Sequence, residues 1–255
     1  MMRQLTLSAG MFTAVPVRVR AEPGPADAAA ALLALPAIGA VIGAAAAFPA
    51  AAIRAWTPHA NLLGAILATA ALAALTRGLH LDGLADTADG LGSGAPAERA
   101  LEIMKQPDIG PFGVVTLVLI LTADIASLAG VSGGVWAPVG VLAVSAATGR
   151  VAAVHAAASR ARAVSQSRFG RLVAGRVTAA ASAAWTLAAL GFGAAVAVAL
   201  SVPPGWILGP QAAALAVAWL LRRHAARRLG GINGDVFGAL IETATAVTLI
   251  GAALR

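Results

Sequence analysis

Asp82, Asp86 and Asp89 lie within the stretch GLHLDGLADTADGLGSG at spacings i, i+4 and i+7. On a helix those spacings place all three carboxylates within about 60° of one face. Like charges so arranged repel one another unless a cation neutralises them. Carboxylate oxygens are hard donors that select Mg²⁺, Mn²⁺ or Ca²⁺ over softer metals. The chain has no cysteine, which excludes thiolate-held zinc, iron–sulfur clusters, thiol nucleophiles and disulfides together. Divalent ions held by carboxylates commonly clamp phosphates during phosphoryl transfer, so the pattern points to Mg²⁺ and a phosphate-bearing substrate. A solvated acidic loop is the alternative, since Asp beside Gly is common in turns. Against it stand glycines 78, 83, 90, 92 and 94, which let the backbone approach a ligand. His80 suits three roles: base, ligand, or hydrogen-bond partner of the acidic residues.

Further along the chain, other residues suit the same chemistry. Lys105 is the only lysine, close to Asp108 and two glycines, and is a candidate phosphate contact. In GGINGDVFGALIETAT, Asp235 and Glu242 are seven residues apart, on one helical face with Gly238. Asp124, Arg150, His155 and Glu242 fall inside apolar runs, where ionisable groups are costly and usually paired or functional. At 1.5 Å per residue, Arg150 and Glu242 each lie roughly 10–12 Å from the basic end of their run and Asp124 roughly 18 Å. That makes Arg150 and Glu242 the expected pair, either as a structural ion pair or as part of the site.

The elements that must position these residues are transmembrane helices. Hydrophobic residues make up 59% of the chain and charged residues 11%, whereas soluble domains carry about 25% charged residues. Apolar runs at about 29–53, 60–76, 112–130, 135–158, 177–201, 205–221 and 236–254 predict seven helices in one all-α membrane bundle, a single domain over 1–255. Arginines follow one side of this plan. Arg3, Arg18 and Arg20 precede the first run; Arg77, Arg99 and Lys105 follow the second; five arginines between 160 and 176 follow the fourth, and four between 222 and 228 the sixth. Only Arg54 and Arg255 fall on the opposite side. The positive-inside rule then sets the N-terminus and the aspartate-rich segment 77–111 in the cytoplasm. Residues 98–105 suit a short amphipathic helix at the surface. The N-terminal segment is too short in apolar length for a signal peptide and is expected to be retained. The net charge of +7 is absorbed by these topology signals; no nucleic-acid module is present and nucleic acid is not an expected partner.

The quoted aspartate-rich segment, together with ALEIMK, IGPFG and GDVFGALIE in that order, resembles the cobalamin synthase family, the adenosylcobinamide-GDP ribazoletransferases, over nearly the whole chain. The N-terminal FTAVPV is similar to that family's opening motif, with Ala14 where an arginine is frequent; Gln106 and Thr245 stand at two further positions where the family often carries an acid. The resemblance implies a Mg²⁺-requiring enzyme of the bacterial cytoplasmic (inner) membrane. Such an enzyme joins adenosylcobinamide-GDP to alpha-ribazole or its 5′-phosphate, releases GMP and forms adenosylcobalamin or its phosphate, late in nucleotide-loop assembly. Carried onto this sequence, it implies catalytic and metal-binding roles for Asp82, Asp86 and Asp89, a catalytic as well as a substrate-binding role for Lys105, and substrate contacts from Asp108, Asp235 and Glu242. The residue reading adds His80 as a catalytic candidate and Arg150 to the substrate-binding set. Membrane lipid is an expected partner, and oligomerisation is left open. Two rivals fit the same residues: a CDP-alcohol phosphotransferase or prenyltransferase using the same metal chemistry, and a secondary transporter with Asp124, Arg150 and Glu242 on its path. Transporters tend to gather ionisable groups near the midplane, whereas most carboxylates here share one segment.

Overall fold

The computed structural model describes residues 2–17, 24–158, 162–164 and 167–254. Arg18, Arg20, Arg160 and Arg255, counted above as topology signals, lie outside the described residues. Every expected apolar run is helical. In chain order the helices are α1 (Met2–Phe12), α2 (Pro25–Ala46), α3 (Phe48–Trp56), α4 (Asn61–Leu75), α5 (Leu79–Gly92), α6 (Ala97–Ile103), α7 (Pro111–Gly130), α8 (Ala137–Ala158), α9 (Arg168–Val173), α10 (Ala179–Ala199), α11 (Gly205–Arg228) and α12 (Gly234–Ala253). Among the described residues, the β pairing is confined to one parallel bridge between Ala163 and Ile232.

Five segments are long and apolar enough to span a bilayer alone: Pro25–Trp56, Pro111–Gly130, Ala137–Ala158, Ala179–Ala199 and Gly234–Ala253. A sixth arises only if α4 and α5, bent by 89° to each other, count as one span. This is fewer than the seven expected. The shortfall has a physical source: α4 has only 15 residues, and α11 carries Gln211, Pro210 and two arginine pairs that dilute its apolar content.

The bundle is organised around α8. Of its most apolar stretch 89% is buried, against 17% for α7 and 22% for α10. A helix apolar on all sides belongs in the interior, whereas one apolar yet exposed requires an apolar solvent. Helices α2, α10, α11 and α12 surround α8. The aspartates' helix, α5, lies against α12 and α7.

Basic residues segregate to one end of the bundle, as the sequence implied. There, Arg228 donates to the Ala95 carbonyl (3.2 Å), the Ala14 amide donates to Leu75 (2.7 Å) and segment 162–164 pairs with Ile232. At the opposite end Arg54 donates to the carbonyls of Val131 and Gly134. Trp136 meets Phe48 edge-to-face at the same end.

Candidate active site

The acidic segment is positioned by a sharp backbone reversal. Arg77 has φ +55° and Gly78 φ +65°, two consecutive left-handed residues that stop α4 and redirect the chain by 89° into α5. Glycine accepts that conformation freely; arginine does so at a cost, and such strain is concentrated at functional sites. We therefore read α5 as lying outside the spanning segments, across the basic end of the bundle.

Helix α5 meets α12 backbone to backbone. A Cβ on Gly83 would come within 2.8 Å of the Asp235 carbonyl oxygen, and one on Gly238 within 2.9 Å of the His80 carbonyl oxygen. This crossing brings Asp82 beside Asp235 and His80 beside Glu242, joining the two motifs. Asp235 is held by the Asn233 side-chain amide, which donates to Oδ2 at 2.8 Å. Asn233 also caps α12 by accepting from the Val236 amide at 3.0 Å.

Above the crossing opens a basin of about 800 Å³. Asp82, Asp86 and Asp108 line it together with Arg77 and Lys105. Asp82, Lys105 and Asp108 are exposed and Asp86 half-buried. Burial, then the negative charges of Asp235, Asp82 and Asp89, push the Asp86 carboxyl up to about 7. The charge of Lys105 also reaches Asp235. The basin thus offers oxygen donors in electrostatic conflict and two cations: a place for a hard cation and an anion together.

Asp89 differs from its two neighbours. It is 7% exposed, and its oxygens accept from the backbone amides of Gly110 (2.8 Å) and Gly113 (2.9 Å). These are amides at the start of α7, so Asp89 caps that helix at its positive end. Both glycines are required, because a Cβ on either would collide with the carboxylate. The three-carboxylate face expected from spacing is therefore divided: two residues face the basin and one fastens α5 to α7. Among the described residues, no set of three His, Asp or Glu side chains is grouped tightly enough to hold an ion unaided.

Beneath the basin, the expected Arg150–Glu242 pair is interrupted by His80. Arg150 Nη2 is 3.3 Å from His80 Nδ1, which lies 3.7 Å from Glu242 Oε1. Arg150 Nη1 donates to the Ala146 carbonyl at 3.2 Å. All three side chains are buried, as is Asp124. A guanidinium only donates, so His80 must present the Nδ1 lone pair and carry its proton on Nε2. Burial, reinforced by the Arg150 charge, holds the His80 pKa well below its usual value and keeps the ring neutral. With its lone pair engaged, His80 is poorly placed to act as a base. Arg150 is too deeply buried to reach the basin except through His80.

Two features escaped the sequence reading. Arg77 reads from the sequence as a topology signal, although its place immediately before the glycine of the aspartate motif is a cue to a role in the site. Phe12, Phe169 and Phe237, from three distant segments, form an edge-to-face row; no periodicity links them. Of the substituted positions, Gln106 lines the basin, Thr245 is buried with its hydroxyl donating to Ile241 (2.8 Å), and Ala14 contributes its backbone contact to Leu75.

Comparison with known proteins gives one consistent result. The family described as cobalamin-5-phosphate synthase matches residues 4–253. A Pseudomonas aeruginosa protein named adenosylcobinamide-GDP ribazoletransferase is 35% identical over 254 residues, 99% of this chain and 98% of that protein. A Nitratidesulfovibrio vulgaris protein of the same name is 35% identical over 260 residues, covering 99% and 95%. A third, from Frankia casuarinae, is 37% identical over 201 residues, covering 74% and 70%. No solved structure matches the chain.

Proposed function

This chain belongs to the cobalamin-5-phosphate synthase family, and from that premise we propose that its basin is where adenosylcobinamide-GDP meets a ribazole. The chain is an integral-membrane transferase of cobalamin synthesis, an adenosylcobinamide-GDP ribazoletransferase. The observation that carries the siting is the union in one basin of Asp82 and Asp86 with Arg77 and Lys105. That is the complement of a metal-bound pyrophosphate.

The donor set fits Mg²⁺. It is all oxygen, and Asp86, half-buried, also feels the charges of Asp235, Asp82 and Asp89, which a cation would offset. Asp82 and Asp86 would hold the ion together with substrate oxygens, and Asp235 would add its charge from across the helix crossing. When bound, such an ion withdraws charge from phosphoryl oxygens and steadies the leaving group. Arg77 and Lys105 neutralise the remaining pyrophosphate oxygens. A ribose hydroxyl of the acceptor forms the new P–O bond to the phosphorus that bears cobinamide. The bond from that phosphorus to the GMP oxygen breaks, and GMP leaves with the electron pair. The hydroxyl proton passes to a carboxylate at the basin wall, because the His80 lone pair is taken by Arg150. Asp89 holds the catalytic helix against α7, and Glu242 and Arg150 act through His80.

The basin faces the cytoplasm of a bacterial inner membrane in this reading, supported by the arginines gathered at its end. Helices α4 and α11 complete seven crossings, and lipid surrounds exposed α7 and α10. Membranes carrying the chain, given adenosylcobinamide-GDP, alpha-ribazole and Mg²⁺, should form GMP and adenosylcobalamin in equal amounts; EDTA should stop the reaction and Mg²⁺ restore it. CMP release from CDP-diacylglycerol, with no corrinoid product, would overturn the reading.

A further inference from the structure

A second cavity, of about 270 Å³, adjoins the basin and shares Leu79 and Asp82 with it. Its lining is of another kind. Phe12, Phe169 and Phe237 form a continuous edge-to-face row, with ring centroids 5.9 and 5.5 Å apart. Leu32, Leu35 and Ile241 add aliphatic walls, and the ionisable groups present are His80, Asp82 and Asp235. An apolar, aromatic-walled space with a few placed polar groups is the usual form of a site for a flat ring system. Its volume lies just below the usual range of ligand pockets, which suits a two-ring base and excludes a corrin macrocycle.

His80 supplies the second observation. It lines this cavity, and its Nε2, which must carry the ring proton because Nδ1 accepts from Arg150, is buried with no hydrogen-bond partner among the described residues. A buried donor without an acceptor is costly unless a ligand provides one. Arg150 and Glu242 fix the ring in this orientation from below.

We propose that this cavity seats the aromatic base of the acceptor nucleoside. The benzimidazole ring stands against the phenylalanine row, and its unsubstituted ring nitrogen accepts from His80 Nε2–H. The ribose then extends over Asp82 into the basin, where its hydroxyl meets the donor's phosphorus. Asp82, common to both spaces, lies where the two substrates join. This assignment rests on the ribazoletransferase reading and adds to it the place where the acceptor binds and the group that selects its base.

The test uses the purified full-length chain in lipid nanodiscs, with alpha-ribazole binding followed by its own fluorescence and KM measured for each substrate. Phe169 sits on a short, half-exposed helix, so Phe169→Ala should leave the bundle folded. It should weaken alpha-ribazole binding about tenfold or more, as expected for loss of a stacking face, and leave the KM for adenosylcobinamide-GDP unchanged. The matching indole riboside, which lacks the acceptor nitrogen, should bind the unaltered chain about tenfold more weakly than alpha-ribazole, the worth of one hydrogen bond to a buried donor. His80→Phe should abolish that preference. Equal binding of the two ribosides by the unaltered chain, or unchanged alpha-ribazole binding in Phe169→Ala, would overturn the assignment whether or not GMP is released. The predicted binding pattern without any GMP release would uphold the acceptor site and defeat the transferase reading instead.

Discussion

Two polar regions face each other across α5, and they differ in what their charges do. In the basin, Asp82, Lys105 and Asp108 are exposed and Asp86 half-buried, so water screens most of these charges and removing one leaves little unsatisfied. In the layer beneath, His80, Arg150 and Glu242 are buried together, where a charge separated from its partner has no solvent to turn to. One helix serves both regions, with His80 directed down and Asp82 and Asp86 up. The lesson is that similar residue types separate into chemistry and scaffold according to which side of α5 they occupy.

The sharpest way to break this comparison is to empty the lower layer. Arg150→Met should leave His80 and Glu242 without their cation and lower stability by about 3–5 kcal/mol, the usual cost of breaking a buried pair. Thermal unfolding in detergent checks this. An unfolding temperature equal to that of the unaltered chain would show that the layer is not a scaffold.

The complementary change lies in the basin. Asp82→Asn or Asp86→Asn should cut turnover at least about 100-fold, close to 2.7 kcal/mol of transition-state stabilisation, with an unfolding temperature no lower than that of the unaltered chain. Asp89→Asn should behave in the opposite sense. Its amide can accept from only one of the Gly110 and Gly113 N–H groups, so about 1–3 kcal/mol of stability should be lost, and the protein that stays folded should retain more turnover than Asp82→Asn.

That division among three aspartates marks the limit of what the sequence disclosed. The i, i+4, i+7 spacing announced a helix, but of its glycines, read as room for a ligand, Gly83 instead admits the Asp235 backbone, as Gly238 admits that of His80. The apolar runs announced the long helices, and the arginines announced which ends lie together. What spacing could not show was the destination of each side chain. Asp89 is turned to α7 by amides 21 and 24 residues away, and His80 comes between Arg150 and Glu242 because α5 folds back by 89°. That bend depends on a left-handed arginine, a conformation that residue type does not signal. The phenylalanine row is likewise a product of tertiary packing among α1, α9 and α12.

The smallest effect is a pH dependence confined to the basin. Burial and the neighbouring carboxylates push the Asp86 carboxyl up to about 7 in the folded chain, against its ordinary value of about 4 when unfolded. Because the folded pKa is the higher, the metal-free chain holds the extra proton at low pH; the associated stability is lost as pH rises from about 4 through 7. Mg²⁺ must displace that proton, so its affinity should rise by up to about tenfold per unit below pH 7 and level off above it. Asp86→Asn should flatten both profiles, checked by calorimetric Mg²⁺ titration and by unfolding at pH 5.5, 6.5 and 7.5.

The central claim is that the basin joins a metal ion to the donor's pyrophosphate through Asp82 and Asp86. It is tested most directly by electron–nuclear double resonance on Mn²⁺ bound to the purified chain with adenosylcobinamide-GDP. The account predicts ³¹P coupling from the donor's phosphates in the unaltered chain, and its loss in the Asp82→Asn/Asp86→Asn double variant at the same metal and donor concentrations. Undiminished ³¹P coupling in that folded double variant would contradict it.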